Sequence, residues 1–262
     1  MLPLAAFLSA IAGFLLGLLG GGGSILIVPI LAYVVQLDAH AAVGTSLVIV
    51  GATSAVAAGL HARAGRVKPA VGIPFGLAGM LGAYAGAFAS AWVSSTVLLL
   101  CFGALMLVTA VAMFRKRPAP SAADAPVPEA NTPTLSLAPV ALLRVAVIGF
   151  FVGGLTGFVG AGGGFIIVPA LTLLAGLDVR VAVGTSLLVI TMQAFAGVLA
   201  HHDIPLDTAG ILTASTIVGS LVGVRAGHSI KPDKLRRMFA MFVLVMAFAV
   251  LGKEIWSLTH HP

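Results

Sequence analysis

Apolar residues run through this chain in long blocks, broken at near-regular intervals by short stretches of glycine, proline and charge. The blocks occupy residues 2–19, 24–36, about 40–60, 69–90 and 95–114, and then 139–159, 165–176, 180–200, 207–227 and 234–252. None alternates with the period of two that marks a strand of a membrane barrel. Most approach the roughly 20 residues that a helix needs to cross about 30 Å of hydrocarbon. The pattern predicts an all-α membrane protein. Two blocks, 24–36 and 165–176, are short for a crossing, and each follows a run of glycines.

Those glycine runs reveal a duplication. Gly20-Gly21-Gly22-Gly23-Ser24-Ile25-Leu26-Ile27-Val28-Pro29 returns 140 residues later as Gly160-Ala161-Gly162-Gly163-Gly164-Phe165-Ile166-Ile167-Val168-Pro169. Without a gap, Leu37-Asp38 then matches Leu177-Asp178, Gly44-Thr45-Ser46-Leu47 matches Gly184-Thr185-Ser186-Leu187, and His61 matches His201. From Gly13 to His61, 19 of 49 aligned positions are identical. Apolar bias would align some valines and leucines, but not the shared Pro, Asp and Thr-Ser positions, so the halves are internal repeats. Residues 1–114 form the first transmembrane repeat and 139–262 the second. Residues 115–138 join them; from Pro118 onward that stretch is Pro-, Ala- and small-polar-rich and too poor in apolar side chains to fold, so a disordered linker is expected.

Charge changes the picture by fixing topology. Residues 2–36 as one continuous helix would be about 50 Å long, too long for a single crossing without extreme tilt. If the stretch is instead a hairpin, 13 of the 14 Lys and Arg residues fall on one side, and only Lys253 on the other. A single crossing splits them 8 to 6. The preference for basic residues on the cytoplasmic side selects hairpins. The expected fold therefore has six full transmembrane crossings plus two re-entrant helical hairpins. Each repeat crosses an odd number of times, which makes them inverted-topology repeats, a pattern of secondary transporters. The linker would be cytoplasmic and both termini periplasmic. Met1-Leu2-Pro3-Leu4 lacks the basic start of a signal peptide, so the first block is expected in the mature protein.

With only 8% charged residues and 60% hydrophobic ones, a soluble domain is excluded. The net charge of +6 reflects orientation-setting loops and points to no nucleic-acid partner. Each acidic residue lies in a loop, the linker or a span end, so there is no mid-membrane carboxylate to relay protons or cations. No nucleophile–base pair or carboxylate pair suggests an enzyme, and no catalytic residue or cofactor is expected. His201-His202-Asp203 reads as a solvated loop cluster, so no metal is expected. Gly17-Leu18-Leu19-Gly20 has no strand before it and no dinucleotide-binding context. Cys101, the single cysteine, sets no redox compartment.

What remains points to a small anion. A run of glycines lets the chain reverse and leaves backbone N–H groups accessible at the start of a helix, where the dipole also favours negative charge. The same glycines would also suit close helix packing. Hydroxyls can donate to an oxyanion without adding charge, although in membrane helices they often bond their own backbone. The candidate binding residues are Gly21, Gly22, Gly23, Ser24, Thr45 and Ser46 in the first half. In the second half they are Gly162, Gly163, Gly164, Thr185, Ser186 and Gln193. Thr53, Ser54 and Thr191 are further polar positions within spans.

The paired glycine–Val-Pro and Gly-Thr-Ser-Leu elements, duplicated across a polar linker, resemble the sulfite exporter TauE/SafE family of membrane permeases. The resemblance covers both halves. It implies outward transport of sulfite or a related sulfur anion such as an organosulfonate, across a bacterial inner membrane. The expected partners are that anion and the lipid bilayer, with a homodimer left open. Import of a related oxyanion, or an intramembrane enzyme, are the competing readings. Ser24 stands where the second loop has Gly164, and Gly21 where it has Ala161, so the two loops are not expected to contribute equally.

Overall fold

The computed structural model describes residues 2–37, 39–90, 92, 95–114, 139–159, 164–199 and 205–260. The expected linker, Asp38, the second glycine loop with Gly162 and Gly163, and the His201–Asp203 cluster lie outside the described residues. Among the described residues the regular structure is helical throughout.

The first half contains α1 (Leu2–Leu19), α2 (Ser24–Pro29), α3 (Ala39–Arg63), α4 (Pro69–Ser90) and α5 (Ser95–Phe114). The second contains α6 (Pro139–Val159), α7 (Gly164–Pro169), α8 (Val179–Val198), α9 (Leu206–Ser229) and α10 (Pro232–His260). Five stretches are long and apolar enough to cross a membrane among the described residues: Leu2–Leu19, Ala41–Arg63, Pro69–Gly86, Val179–Val198 and Leu206–Gly227. The protein is a polytopic helical membrane protein.

The short helices are built identically in the two halves. α2 and α7 each end on a proline, Pro29 and Pro169, which brings no N–H to the ladder. Each then loosens into one π-helical turn, Ile30–Val34 and Ala170–Leu174. The turns are closed by the same bonds, Leu37 N–H to Leu31 O and Leu177 N–H to Leu171 O, both 3.0 Å. Closing them needs a left-handed residue, which is Gly176 in one half (φ 71°) and Gln36 in the other (φ 64°). The repeated Leu-Asp now has a cause in the second half: the Asp178 carboxylate caps α8, accepting from Arg180 N–H at 2.9 Å.

Packing joins the halves rather than separating them. α1 lies along α9, and its counterpart α6 lies along α4. Both pairs run parallel. A methyl on Gly13 would strike the backbone of Thr216 and one on Gly17 that of Ser220, while Gly219 and Gly223 press on Ala10 and Phe14. The same contacts recur as Gly153 on Gly79 and Gly82 on Phe150, with α9 offset from α4 by 137 residues instead of 140. Such backbone proximity needs glycine, so in these helices the glycines serve close packing. The counterparts α3 and α8 touch each other and run antiparallel, Gly51 against Ala194 and Leu47 against Gly197. α5 and α10 do the same, with Gly103 against Leu251 and Arg236 Nε donating to Met113 O at 2.7 Å.

Three contacts gather the basic segments at one end of the molecule. Lys68 N–H donates to Thr185 Oγ1 at 3.1 Å, bringing the α3–α4 turn onto the start of α8. Arg180 Nη2 donates to Ile230 O at 2.7 Å, adding the α9–α10 turn. Arg236 reaches the end of α5. The surface is apolar where lipid would lie, with Phe7, Leu81, Tyr84, Phe151 and Phe195 all turned outward. The interior is small and partly hydroxylated, with Ser9, Thr45, Thr53, Ser54, Thr185, Ser186, Thr216 and Ser220 all buried. That is the distribution expected when close packing, not exclusion of water, holds helices together.

Candidate functional site

At the end of α1 the chain reverses in four residues. Gly20 (φ 72°) and Gly21 (φ 149°) hold the backbone where a side chain would be strained. Gly22 and Gly23 have ordinary backbone, and their constraint is space. A methyl at Gly23 would overlap Ala12 O of α1, and one at Gly22 would come within 3.1 Å of the Phe242 ring of α10. The loop is buried throughout. Its folding back onto Ala12 and Leu16 makes α1 and α2 a hairpin, with a first arm of 18 residues and a second of 6 before the π turn.

Few of the loop's donors are consumed within it. Gly20 N–H goes to Leu16 O at 2.8 Å, and Ser24 N–H to Gly21 O at 3.2 Å. The N–H groups of Gly21, Gly22 and Gly23 donate to no backbone carbonyl in the loop. Three successive amides of buried residues with no backbone acceptor among the described residues are an uncommon arrangement, because such groups are normally paired. They form a concentration of positive partial charge that suits an anion.

The loop of the first half is seated on the second. The Ser186 hydroxyl lies against Gly20 O and 2.8 Å from Val183 O of its own helix. A methyl on Gly20 would fall 2.7 Å from Val183 Cα. Gly21 abuts Gly164, the first residue of α7, and Gly164 in turn meets Ile190 of α8 and the Ser24 hydroxyl. So the hairpin tip of one half reaches the broken helix of the other, against the 183–190 stretch of α8.

The structure therefore brings together Gly21, Gly22, Gly23, Ser24, Gly164 and Ser186 of the expected residues. Of the others, Gly162 and Gly163 lie outside the described residues. Thr185 and Gln193 lie on the face of α8 toward α4: Thr185 accepts from Lys68 and touches Gly72, and Gln193 packs on Gly79. Ser46 donates within α3 to Val43 O at 2.7 Å, and Ser24 donates to Gly21 O at 2.7 Å. Thr45 is fully buried with no partner for its hydroxyl. Two residues outside the list of candidates prove central. Gly20, the first residue past α1, carries the left-handed turn common just after a helix end, and Lys68 supplies the amide that Thr185 accepts. Among the described residues no group of His, Cys, Asp and Glu side chains could hold a metal.

Glycine-broken, Pro-ended helices meeting inside a bundle of long apolar helices define a class, the multi-pass transporters with interrupted helices. Comparison with known proteins places the chain within that class. It belongs to the sulfite exporter TauE/SafE family, whose pattern matches residues 5–250. A probable membrane transporter protein of Xylella fastidiosa (strain 9a5c) is 35% identical over 257 residues, covering 95% of this chain and 94% of that one. One from Methanocaldococcus jannaschii is 26% identical, covering 96% of each, and one from Bacillus subtilis (strain 168) is 28% identical, covering 82% of each. No solved structure matches the chain significantly. The protein is a multi-pass membrane transporter.

Proposed function

We propose that the protein is a permease that exports a small sulfur-containing anion, sulfite or an organosulfonate, from the cytoplasm by alternating access of two inverted repeats. The observation that carries the anion is the trio of buried amides at Gly21, Gly22 and Gly23, at the junction of the two halves. A divalent or monovalent oxyanion would accept from them and from the Gly164 end of α7, with Ser186 holding Gly20 in place. The family's description as sulfite exporters supplies the sulfur and the direction.

Inversion is supported by the antiparallel contact of α3 with α8 and of α5 with α10. If each glycine hairpin crossed the membrane once, those counterparts would run parallel. The gathering of Lys68, Arg180 and Arg236 at one end supports a cytoplasmic α3–α4 turn and α9–α10 turn. Flux into and out of proteoliposomes is the test. Purified protein should move sulfite or an organosulfonate down its gradient, saturably and in competition with each other. Movement of neither anion, by protein that is monodisperse, would refute the substrate reading.

A further inference from the structure

The two halves are alike in backbone and unlike in buried polarity. Among the described residues, every buried hydroxyl without a hydrogen-bond partner sits on α1, α3 or α9: Ser9, Thr45, Thr53, Ser54, Thr213 and Ser220. Those three helices pack on one another, α1 along α9 and α3 against both. The symmetry-related bundle of α6, α8 and α4 carries Gly149, Thr185, Gln193, Ala194, Gly76 and Ala83 at the matching positions. Only one hydroxyl survives there, and it is satisfied: Thr185 accepts from Lys68 N–H. Its twin Thr45 has no such neighbour, because the residue matching Lys68 is Pro205, which lacks an N–H.

Five of the six residues, all but Thr213, are fully buried at 0% exposure. Other buried hydroxyls in the same helices do find acceptors, as Thr216 does on Leu212 O at 2.6 Å. Buried polar groups are paired as a rule, so orphan hydroxyls confined to one of two related bundles call for a missing partner. We propose that α1, α3 and α9 line the path of the anion, and that α4, α6 and α8 form the dry counterpart. Rotatable O–H donors offer a sulfonate successive neutral contacts without trapping it as a buried cation would. This rests on the reading of the protein as an anion permease, and the test keeps the two apart.

Replacing the single cysteine, Cys101→Ala, gives a background for single thiols at Ser54→Cys and Ser220→Cys, with Ala194→Cys and Ala83→Cys at the mirror positions. The probe is sulfonatoethyl methanethiosulfonate, a water-soluble organosulfonate, on purified protein in liposomes. A thiol on a wet path ionises and reacts, whereas one in apolar packing stays inert, so the test positions should label about tenfold or more faster than their mirrors. Equal rates in both bundles, or no reaction in either, overturn the path. Methanesulfonate should slow labelling at the test positions. Fast labelling without that protection leaves the path standing as a water route and refutes the sulfonate as its occupant. In parallel, Thr45→Val and Ser54→Ala should lower flux about tenfold without lowering the melting temperature, while Thr216→Val leaves flux unchanged. Unchanged flux in the first two would assign the orphan hydroxyls to packing and overturn the proposal.

Discussion

The hydroxyl of Ser186 in α8 meets the carbonyl of Gly20, 166 residues earlier in the glycine loop of the other half. Its counterpart Ser46 has the same local bond, to Val43 O, and no second one among the described residues, which leave out Gly160, the match of Gly20. Ser186→Ala leaves the Gly20 carbonyl buried without that donor, at a cost of roughly 1–3 kcal/mol. Ser46→Ala removes only a bond to its own helix, worth about 0.5 kcal/mol or less because such bonds compete with the helix ladder. Thermal unfolding of the purified variants should show a clear drop for Ser186→Ala and a small one for Ser46→Ala. Equal drops would mean that the contact with the loop contributes nothing.

The loop predicts an order of damage among its glycines. At Gly20 and Gly21 an alanine is strained by the positive φ and also meets backbone, Val183 Cα and Gly164 O respectively. At Gly22 the backbone is ordinary, and a methyl only presses on the Phe242 ring, which can move. Gly20→Ala and Gly21→Ala should each cost roughly 1–3 kcal/mol and abolish transport, while Gly22→Ala should keep a substantial share of both fold and flux. Gly22→Val is larger and branched, and should abolish flux. Transport and melting temperature of the four variants check the ranking, and a Gly22→Ala protein as damaged as Gly20→Ala would contradict the loop geometry.

Gln36 occupies a left-handed position that the second half gives to Gly176. A non-glycine residue there costs roughly 1 kcal/mol, part of which glycine's greater unfolded-state entropy takes back. Gln36→Gly should therefore raise the melting temperature slightly, and Gly176→Gln should lower it. A method sensitive to half a degree suffices. Opposite signs would show that the Gln36 side chain is held by contacts stronger than the strain.

Much of this arrangement is legible in the chain. Composition and block length give the helices, the offset repeat gives the pairing of α2 with α7 and α3 with α8, and the lone Pro29 and Pro169 mark where those helices loosen. Which glycines turn and which pack is not legible, because a run of four offers every position the same permission; only the seating of Gly20 on Val183 and Ser186 decides it. The separation of Thr185 from Ser186 is likewise hidden in a motif that writes them side by side. On a helix, neighbours point about 100° apart, so one faces α4 and the other the loop. Thr45 looks equivalent to Thr185 until the α3–α4 turn places an amide beside one and a proline stands at the matching position for the other.

The proposed inverted arrangement makes a prediction about sidedness. The α3–α4 turn with Lys68, the start of α8 with Arg180 and the α9–α10 turn with Ile230 sit at one end of the bundle, held by hydrogen bonds of 2.7–3.1 Å. On the hairpin topology thirteen of the fourteen basic residues would fall on that side, and the cytoplasmic side is where such an excess belongs. Single cysteines in the 118–138 stretch and at Gly227, in the Cys101→Ala background, should therefore react from the cytoplasmic side only. One near Asp203 should react from the outside only. Labelling of right-side-out and inside-out vesicles with an impermeant thiol reagent reads this directly. Reaction of the 118–138 stretch and the Asp203 position from the same side would require the glycine hairpin to cross the membrane, and the antiparallel contact of α3 with α8 would then need another explanation.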